Sequence, residues 1–210
     1  MEMNRKKIIL TSLITLLPLP AGLILWNRLP DTIATHFGPD GQADGWSSKP
    51  FAVFFIPLFL LAMHLLCVFV TTADPKRRNI GSKTLGLVYW IVPLASLLVG
   101  ILTYTIALGM ELNINLFMSL VMGLLFIVIG NYLPKCRQNY TVGIKIPWTL
   151  NDPDNWNRTH RFAGKLWIAG GVIIMFGAFL ATPWILVAAV FTMAFVPILY
   201  SYMLYRRSLS

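Results

Sequence analysis

Six long apolar stretches divide this sequence, and no other feature limits its fold so severely: Lys7–Trp26, Phe51–Thr71, Thr84–Gly109, Asn115–Leu133, Phe162–Ala181 and Trp184–Tyr205. A helix rising about 1.5 Å per residue needs about 20 mostly apolar residues to cross a bilayer core. Each stretch meets that length. None buries a charged residue deep in its interior, where it would cost about 2.5–3.5 kcal/mol. Only Thr182 and Pro183 separate the last two stretches. Together they run for about 44 residues, enough for two crossings and far too many for one. Composition agrees: 57% of the 210 residues are hydrophobic and only 12% charged, about half the charge of an ordinary soluble domain. A soluble fold of this size has no means of hiding so much apolar surface. We therefore expect an all-α polytopic membrane protein with six transmembrane helices.

The basic residues give the spans a direction. Fifteen of the seventeen Lys and Arg fall on one side: Arg5, Lys6 and Lys7 before the first span, Lys76 to Lys83 between the second and third, Lys135 to Lys165 around the fourth and fifth, and Arg206 with Arg207 at the end. Arg28 and Lys49 fall on the other. Cytoplasmic loops carry the excess of positive charge, so both termini are expected in the cytoplasm. The net charge of +9 does not indicate direct nucleic acid binding, because no polar domain gathers it into a patch. The first apolar run lacks a small-residue cleavage site and is expected to stay in the membrane. Cys67 lies in a span and Cys136 in a cytosolic loop, so no structural disulfide is expected.

Two loops have the size to carry function. The outer one, residues 27–50, contains Pro39-Asp40-Gly41 and Asp44-Gly45, both strong turn formers. Thr32 to Phe37 alternates β-branched and aromatic residues, which predicts a small hairpin-like cap. Trp46 stands where an amphipathic ring anchors at the headgroups. His36, Asp40 and Asp44 invite a reading as metal ligands, but Gly38, Pro39 and Gly41 disfavour the helix that would align them. The simpler reading has both aspartates closing turns and His36 bonded to a carbonyl, and no metal is assigned. A pH-sensing role for His36 stays open. Prolines recur inside the spans, at Pro18, Pro20, Pro57, Pro93 and Pro197. They bend helices, and the Pro18/Pro20 pair also fits an unwound stretch lining a cavity.

The inner loop, residues 134–161, is polar and aromatic. Asn151-Asp152-Pro153 reads as a helix entry, with Asn151 or Asp152 as cap, Pro153 in the first turn and Asp154 at the positive end of the dipole. The helix then runs through Trp156, His160 and Gly164 into the fifth span, with Trp156 and His160 on one face. His160 between Arg158 and Arg161 suits a phosphate contact, or simply the headgroup level of an anionic leaflet. No metal cluster, nucleophile and base pair, or glycine-rich phosphate loop emerges. His64 is the ionisable group near a span centre, a functional candidate by position that is more simply an interhelical hydrogen-bond donor.

The residues of this loop carry a family resemblance. Gly130-Asn131-Tyr132-Leu133-Pro134, then Asn139 with Val142-Gly143-Ile144-Lys145-Ile146-Pro147-Trp148-Thr149-Leu150, then Trp156-x-x-Thr159-His160-Arg161-x-x-Gly164, resemble the pattern of the SdpI-type immunity proteins. Lys145 stands where arginine is common there. The segment His36-x4-Gly41-x2-Asp44-Gly45-Trp46-x2-Lys49 resembles the N-terminal membrane module that accompanies them. On that likeness, residues 1–80 form a two-helix membrane module and 81–210 a four-helix immunity module. The resemblance implies a non-enzymatic protein of the bacterial cell membrane, without cofactor, that protects against a secreted peptide toxin. It also implies signalling by holding a cytosolic transcriptional repressor at the membrane. The expected toxin-facing residues are His36, Asp40, Asp44, Trp46 and Lys49. The expected partner-docking residues are Asn131, Asn139, Lys145, Trp148, Thr149, Trp156, Arg158, His160 and Arg161, with His64 as an intramembrane polar group.

Two rival readings follow from the residues themselves. In a small transporter or exporter, Pro18, Pro20 and His64 would line a path, although the spans hold no buried carboxylate. In a membrane enzyme, His160 would act with Asp152 or Asp154. The orientation is directly testable: alkaline phosphatase inserted at Gly41 should be active, and the same enzyme fused after Ser210 inactive. The reverse pattern would invert the topology.

Overall fold

The computed structural model describes residues 4–180 and 183–209. Six helices in it are long and apolar enough to cross a membrane: Arg5–Ile24, Phe51–Thr72, Ser82–Ala107, Ile114–Lys135, Pro153–Leu180 and Trp184–Ser208. Each overlaps one of the stretches read from the sequence. Ala181 and Thr182, where the fifth span was expected to end and turn, lie outside the described residues. By contacts the chain forms two compact units, residues 1–72 with 85–113 and residues 73–84 with 114–210. This division cuts the chain differently from the expected modules 1–80 and 81–210, which concern sequence units.

In the first unit, α1 (Arg5–Leu16) stops at Leu17 and α2 (Pro18–Ile24) continues the span. Pro18 and Pro20 lack the N–H groups that would bond the carbonyls four residues back, so the helix breaks here. Neighbouring side chains take up backbone carbonyls around the break. Ser96 donates to the Thr15 carbonyl at 2.7 Å and Tyr104 to the Pro18 carbonyl at 2.9 Å, both from α4 (Ser82–Ala107). The packing at the break is close. A Cβ on Gly100 would come within 2.6 Å of Pro18, and one on Gly22 within 2.5 Å of the Tyr104 hydroxyl. The second span opens with a π-helical turn, Phe51–Phe55, before α3 (Ile56–Thr72). Pro57 follows immediately and cannot donate to the turn behind it.

Between these spans a two-stranded antiparallel sheet forms from β1 (Thr32–Phe37) and β2 (Ala43–Ser48). The turn sits where the proline and glycine place it: Gly41 has φ 78° and donates to the Gly38 carbonyl at 2.9 Å. The hairpin is seated by a small apolar core of Leu29, Ile33, Ala52, Val53 and Tyr104.

In the second unit the main contact joins α5 (Ile114–Tyr132) to α7 (Pro153–Gly177). Lipid is as apolar as leucine, so membrane helices associate through close packing rather than burial from water. Here glycines permit it. A Cβ on Gly123 would meet the Gly171 carbonyl oxygen at 2.6 Å, and one on Gly130 the Gly164 carbonyl at 2.9 Å. The pairs run in opposite order along the two helices, so the helices are antiparallel. Polar groups then fix α8 (Pro183–Ser208) against α7. Trp167 donates to the Met193 carbonyl at 2.9 Å, and Asn155 donates to the Ser201 carbonyl at 3.0 Å while accepting from the Ser201 hydroxyl at 2.6 Å.

Gly171→Leu should cost about 1–3 kcal/mol or more, because the opposing atom is backbone and cannot swing aside. Gly86, with nothing within 4 Å of its would-be Cβ, is the control: Gly86→Ala in α4 should be neutral or stabilising by about 0.5–1 kcal/mol. Thermal unfolding in detergent distinguishes the two.

Candidate functional site: the loop face of the second unit

Loop 134–161 is held by side chains that replace regular backbone pairing. Asn139, 1% exposed, is the centre of its first turn. Its Oδ1 accepts from the N–H of Thr141 at 2.9 Å and of Val142 at 2.6 Å, while its Nδ2 donates to the carbonyls of Arg137 and Val142. That uses both ends of the amide. Gln138 donates to the carbonyls of Thr149 and Leu150 at 2.9 Å each. The Thr149 hydroxyl donates to the Ile144 carbonyl at 2.7 Å and accepts from the Ile146 N–H at 3.2 Å, closing the entry to α6 (Pro147–Asn151).

The start of α7 follows the sequence expectation. Asp152 is the N-cap, its Oδ1 accepting from the Asp154 N–H at 2.8 Å, with Pro153 first in the helix. Trp156 and His160 then stack with centroids 4.0 Å apart. Trp156, fully buried, donates its indole N–H to the Cys136 carbonyl at 2.7 Å. His160 is equally committed. Its Nε2 accepts the Ile144 N–H at 2.9 Å, so the ring proton sits on Nδ1, which faces the Trp156 carbonyl at 2.8 Å. Gly143 makes this approach possible. It has φ 123°, and a Cβ there would lie 2.5 Å from His160 Nε2. Burial pushes the Cys136 thiol up, offset in part by its contact with Thr84. A protonated, buried thiol is a poor nucleophile.

The structure thus divides the expected docking set. Asn139, Thr149, Trp156 and His160 are buried and shape the loop from within, so they are removed from direct contact with any partner. The phosphate contact considered for His160 is excluded by the same geometry, since both ring nitrogens are occupied. Lys145, Arg158, Arg161 and Asn131 are exposed. Trp148 is half-buried, its ring 5.2 Å from Tyr202 and 6.1 Å from Tyr205. Arg158 pairs with Asp154 at 3.7 Å.

One anchor escaped the sequence reading. Asp74 is 4% exposed in the turn between the second and third spans. Its Oδ1 accepts from the Lys76 N–H at 2.7 Å, and its Oδ2 from the Tyr140 N–H at 2.8 Å and the Thr141 hydroxyl. Lys76 reaches Gln138 at 2.8 Å, and Asn79 donates to the Gln138 carbonyl at 2.7 Å. Residues 73–84 and loop 134–161 therefore form one surface. The sequence cue was an Asp-Pro turn carrying the only acid among four basic residues.

In the hairpin of the first unit, His36 Nδ1 lies 2.5 Å from Asp44 Oδ1. This corrects the expected carbonyl partner, because register sets His36 opposite Gly45 and beside Asp44. Asp44 therefore pairs across the sheet instead of closing a turn. Asp40 does close one, accepting from the Gln42 N–H at 3.0 Å. Among the described residues no group of three or more His, Cys, Asp or Glu is placed to hold a metal ion. Trp46 is 60% exposed. Lys49 is enclosed: it pairs with Asp31 at 3.1 Å, donates to the Trp26 carbonyl and lies over the Trp26 ring.

Comparison with known proteins covers both regions. Residues 135–201 match the model of the SdpI/YfhL protein family, and residues 13–61 match that of a domain of unknown function, DUF1648. The chain is 31% identical over 173 residues to a protein of Bacillus subtilis (strain 168) named Immunity protein SdpI, the match covering 80% of each chain. No solved structure matches.

Asp74→Ala should strip acceptors from three donors, each buried orphan costing about 1–3 kcal/mol. Amide hydrogen exchange should then accelerate over residues 138–150. Unchanged protection there would show that the loop does not depend on this carboxylate.

Proposed function

The chain belongs to the SdpI/YfhL protein family and is a multi-pass bacterial membrane protein, and from that premise we propose that it is an immunity protein protecting its cell against a secreted peptide toxin. The observation that carries this reading is the 31% identity over 80% of the chain to Immunity protein SdpI. With both termini cytoplasmic, as the fifteen-to-two division of Lys and Arg supports, the hairpin faces outward. Trp46 and the His36–Asp44 pair then meet toxin at the membrane surface, while the enclosed Lys49 keeps the hairpin in place.

Loop 134–161, with residues 73–84 docked on it, faces the cytosol and receives a transcriptional repressor through Lys145, Trp148, Arg158 and Arg161. Ligand on one side alters the other only by preferring one of two arrangements of the helices. The protein acts without catalysis. Asp152 is used as a helix cap, Asp154 lies beside Arg158, and both nitrogens of His160 are bonded. These engagements weigh against the reading in which His160 acts with Asp152 or Asp154. The helix break at Pro18, which lines a cleft with Pro57, Ser96 and Tyr104, is what favours a small transporter instead.

Expression of the intact chain in toxin-sensitive cells should raise survival in the presence of toxin. Absence of protection despite normal membrane insertion would overturn the proposal. Replacing Trp148, Arg158 and Arg161 together should abolish repressor capture and leave survival unchanged.

A further inference from the structure

The allocation of one proton inside the first unit determines the state of His64. Thr11 carries a single hydroxyl proton, and its Oγ1 lies 2.8 Å from the Lys7 carbonyl and 3.1 Å from that of Ile8. Both carbonyls can accept that proton. The same oxygen is 2.9 Å from His64 Nε2. With the hydroxyl proton on a carbonyl, this oxygen accepts from His64, and Nε2 carries the ring proton. A neutral imidazole protonated on Nε2 leaves Nδ1 as a bare lone pair. His64 is 0% exposed, and among the described residues its Nδ1 has no hydrogen-bond partner. His160 is the opposite tautomer, with both nitrogens satisfied.

Other polar groups are buried in the same unit. The Ser12 hydroxyl, next to Thr11 in the chain, and the Tyr89 hydroxyl on α4 are also buried without a partner among the described residues. Leu60, one turn from His64 on α3, lines a cleft together with Ser96, Thr103 and Tyr104. The titratable groups of the packed elements are Arg5, Lys6 and Lys7 at the exposed end of α1, Cys67 on α3, and Lys83, Tyr89 and Tyr104 on α4. No carboxylate is among them.

We propose that His64 Nδ1 is a proton-accepting site inside the first unit, loaded from water. A proton passes from hydronium to Nδ1, leaving water and an imidazolium that still donates its Nε2–H to Thr11. This site is independent of the immunity reading, since it rests on the interior of one unit and not on a partner.

The chain has three histidines, so ring-nitrogen-labelled histidine in the full protein, held in lipid nanodiscs, gives three resolvable sets of NMR signals. His36→Gln removes the exposed set. Thr11→Val takes the acceptor from Nε2 and should shift the His64 set while leaving that of His160, which assigns it even where His64→Gln does not fold. At neutral pH the His64 set should show a protonated Nε2 and a bare Nδ1. On acidification Nδ1 should move to the protonated position and exchange with water. A proton already on Nδ1 at neutral pH, or an Nδ1 that stays bare at every pH where the fold persists, would overturn the proposal.

Discussion

In lipid, two apolar helices gain nothing by hiding from water, so whatever joins them has to come from contact at short range. The glycine seam between α5 and α7 meets that requirement. Gly123 faces Gly171 and Gly130 faces Gly164 across carbonyl oxygens that leave no room for a side chain. The consequences reach beyond the span. A Cβ on Gly164 would also come within 2.7 Å of Pro134, so the seam positions the first residues of the loop. Because α7 runs unbroken from Asp152's cap through Trp156 and His160 to Gly171, the same helix is wall, seam and floor of the loop face.

The first unit solves the problem differently. One face of its first span presents Thr11, Thr15 and Pro18, and each meets a polar group from another helix: His64, Ser96 and Tyr104. Each such bond is modest in membranes, about 0.6 kcal/mol on average. Together they fix the rotation of the broken helix. A seam of hydrogen bonds tolerates rearrangement better than one of backbone contacts, since a hydroxyl rotates and a carbonyl facing a glycine does not.

The spans were legible because the cost of a buried charge is written residue by residue. The hairpin was legible because Pro39-Asp40-Gly41 restricts the backbone directly, and the start of α7 because Asn151-Asp152-Pro153 does the same. Within loop 134–161 the residue types misled. Asn139, Thr149 and His160 look like surface residues until the backbone donors and acceptors they serve are known, and those depend on contacts between segments. Asp74 was hidden for the same reason. Its partners Tyr140 and Thr141 are more than sixty residues away, and no local pattern marks such a pairing. His36 was misread through register, since a shift along β2 decides whether it meets a carbonyl or Asp44.

The way the second unit spends its acids has a consequence for its range of action. It contains twelve Lys and Arg but only three acids, Asp74, Asp152 and Asp154. Asp74 and Asp152 serve backbone donors and Asp154 lies beside an arginine. Twelve bases against three acids leave the unit a formal charge of +9, so its field extends into the surrounding solution until dissolved ions screen it, over about 8 Å at physiological ionic strength. Encounter with an acidic surface is therefore governed by salt, while the shape of the loop, held at short range by the buried Asp74 carboxylate and by amide and hydroxyl groups, is much less so.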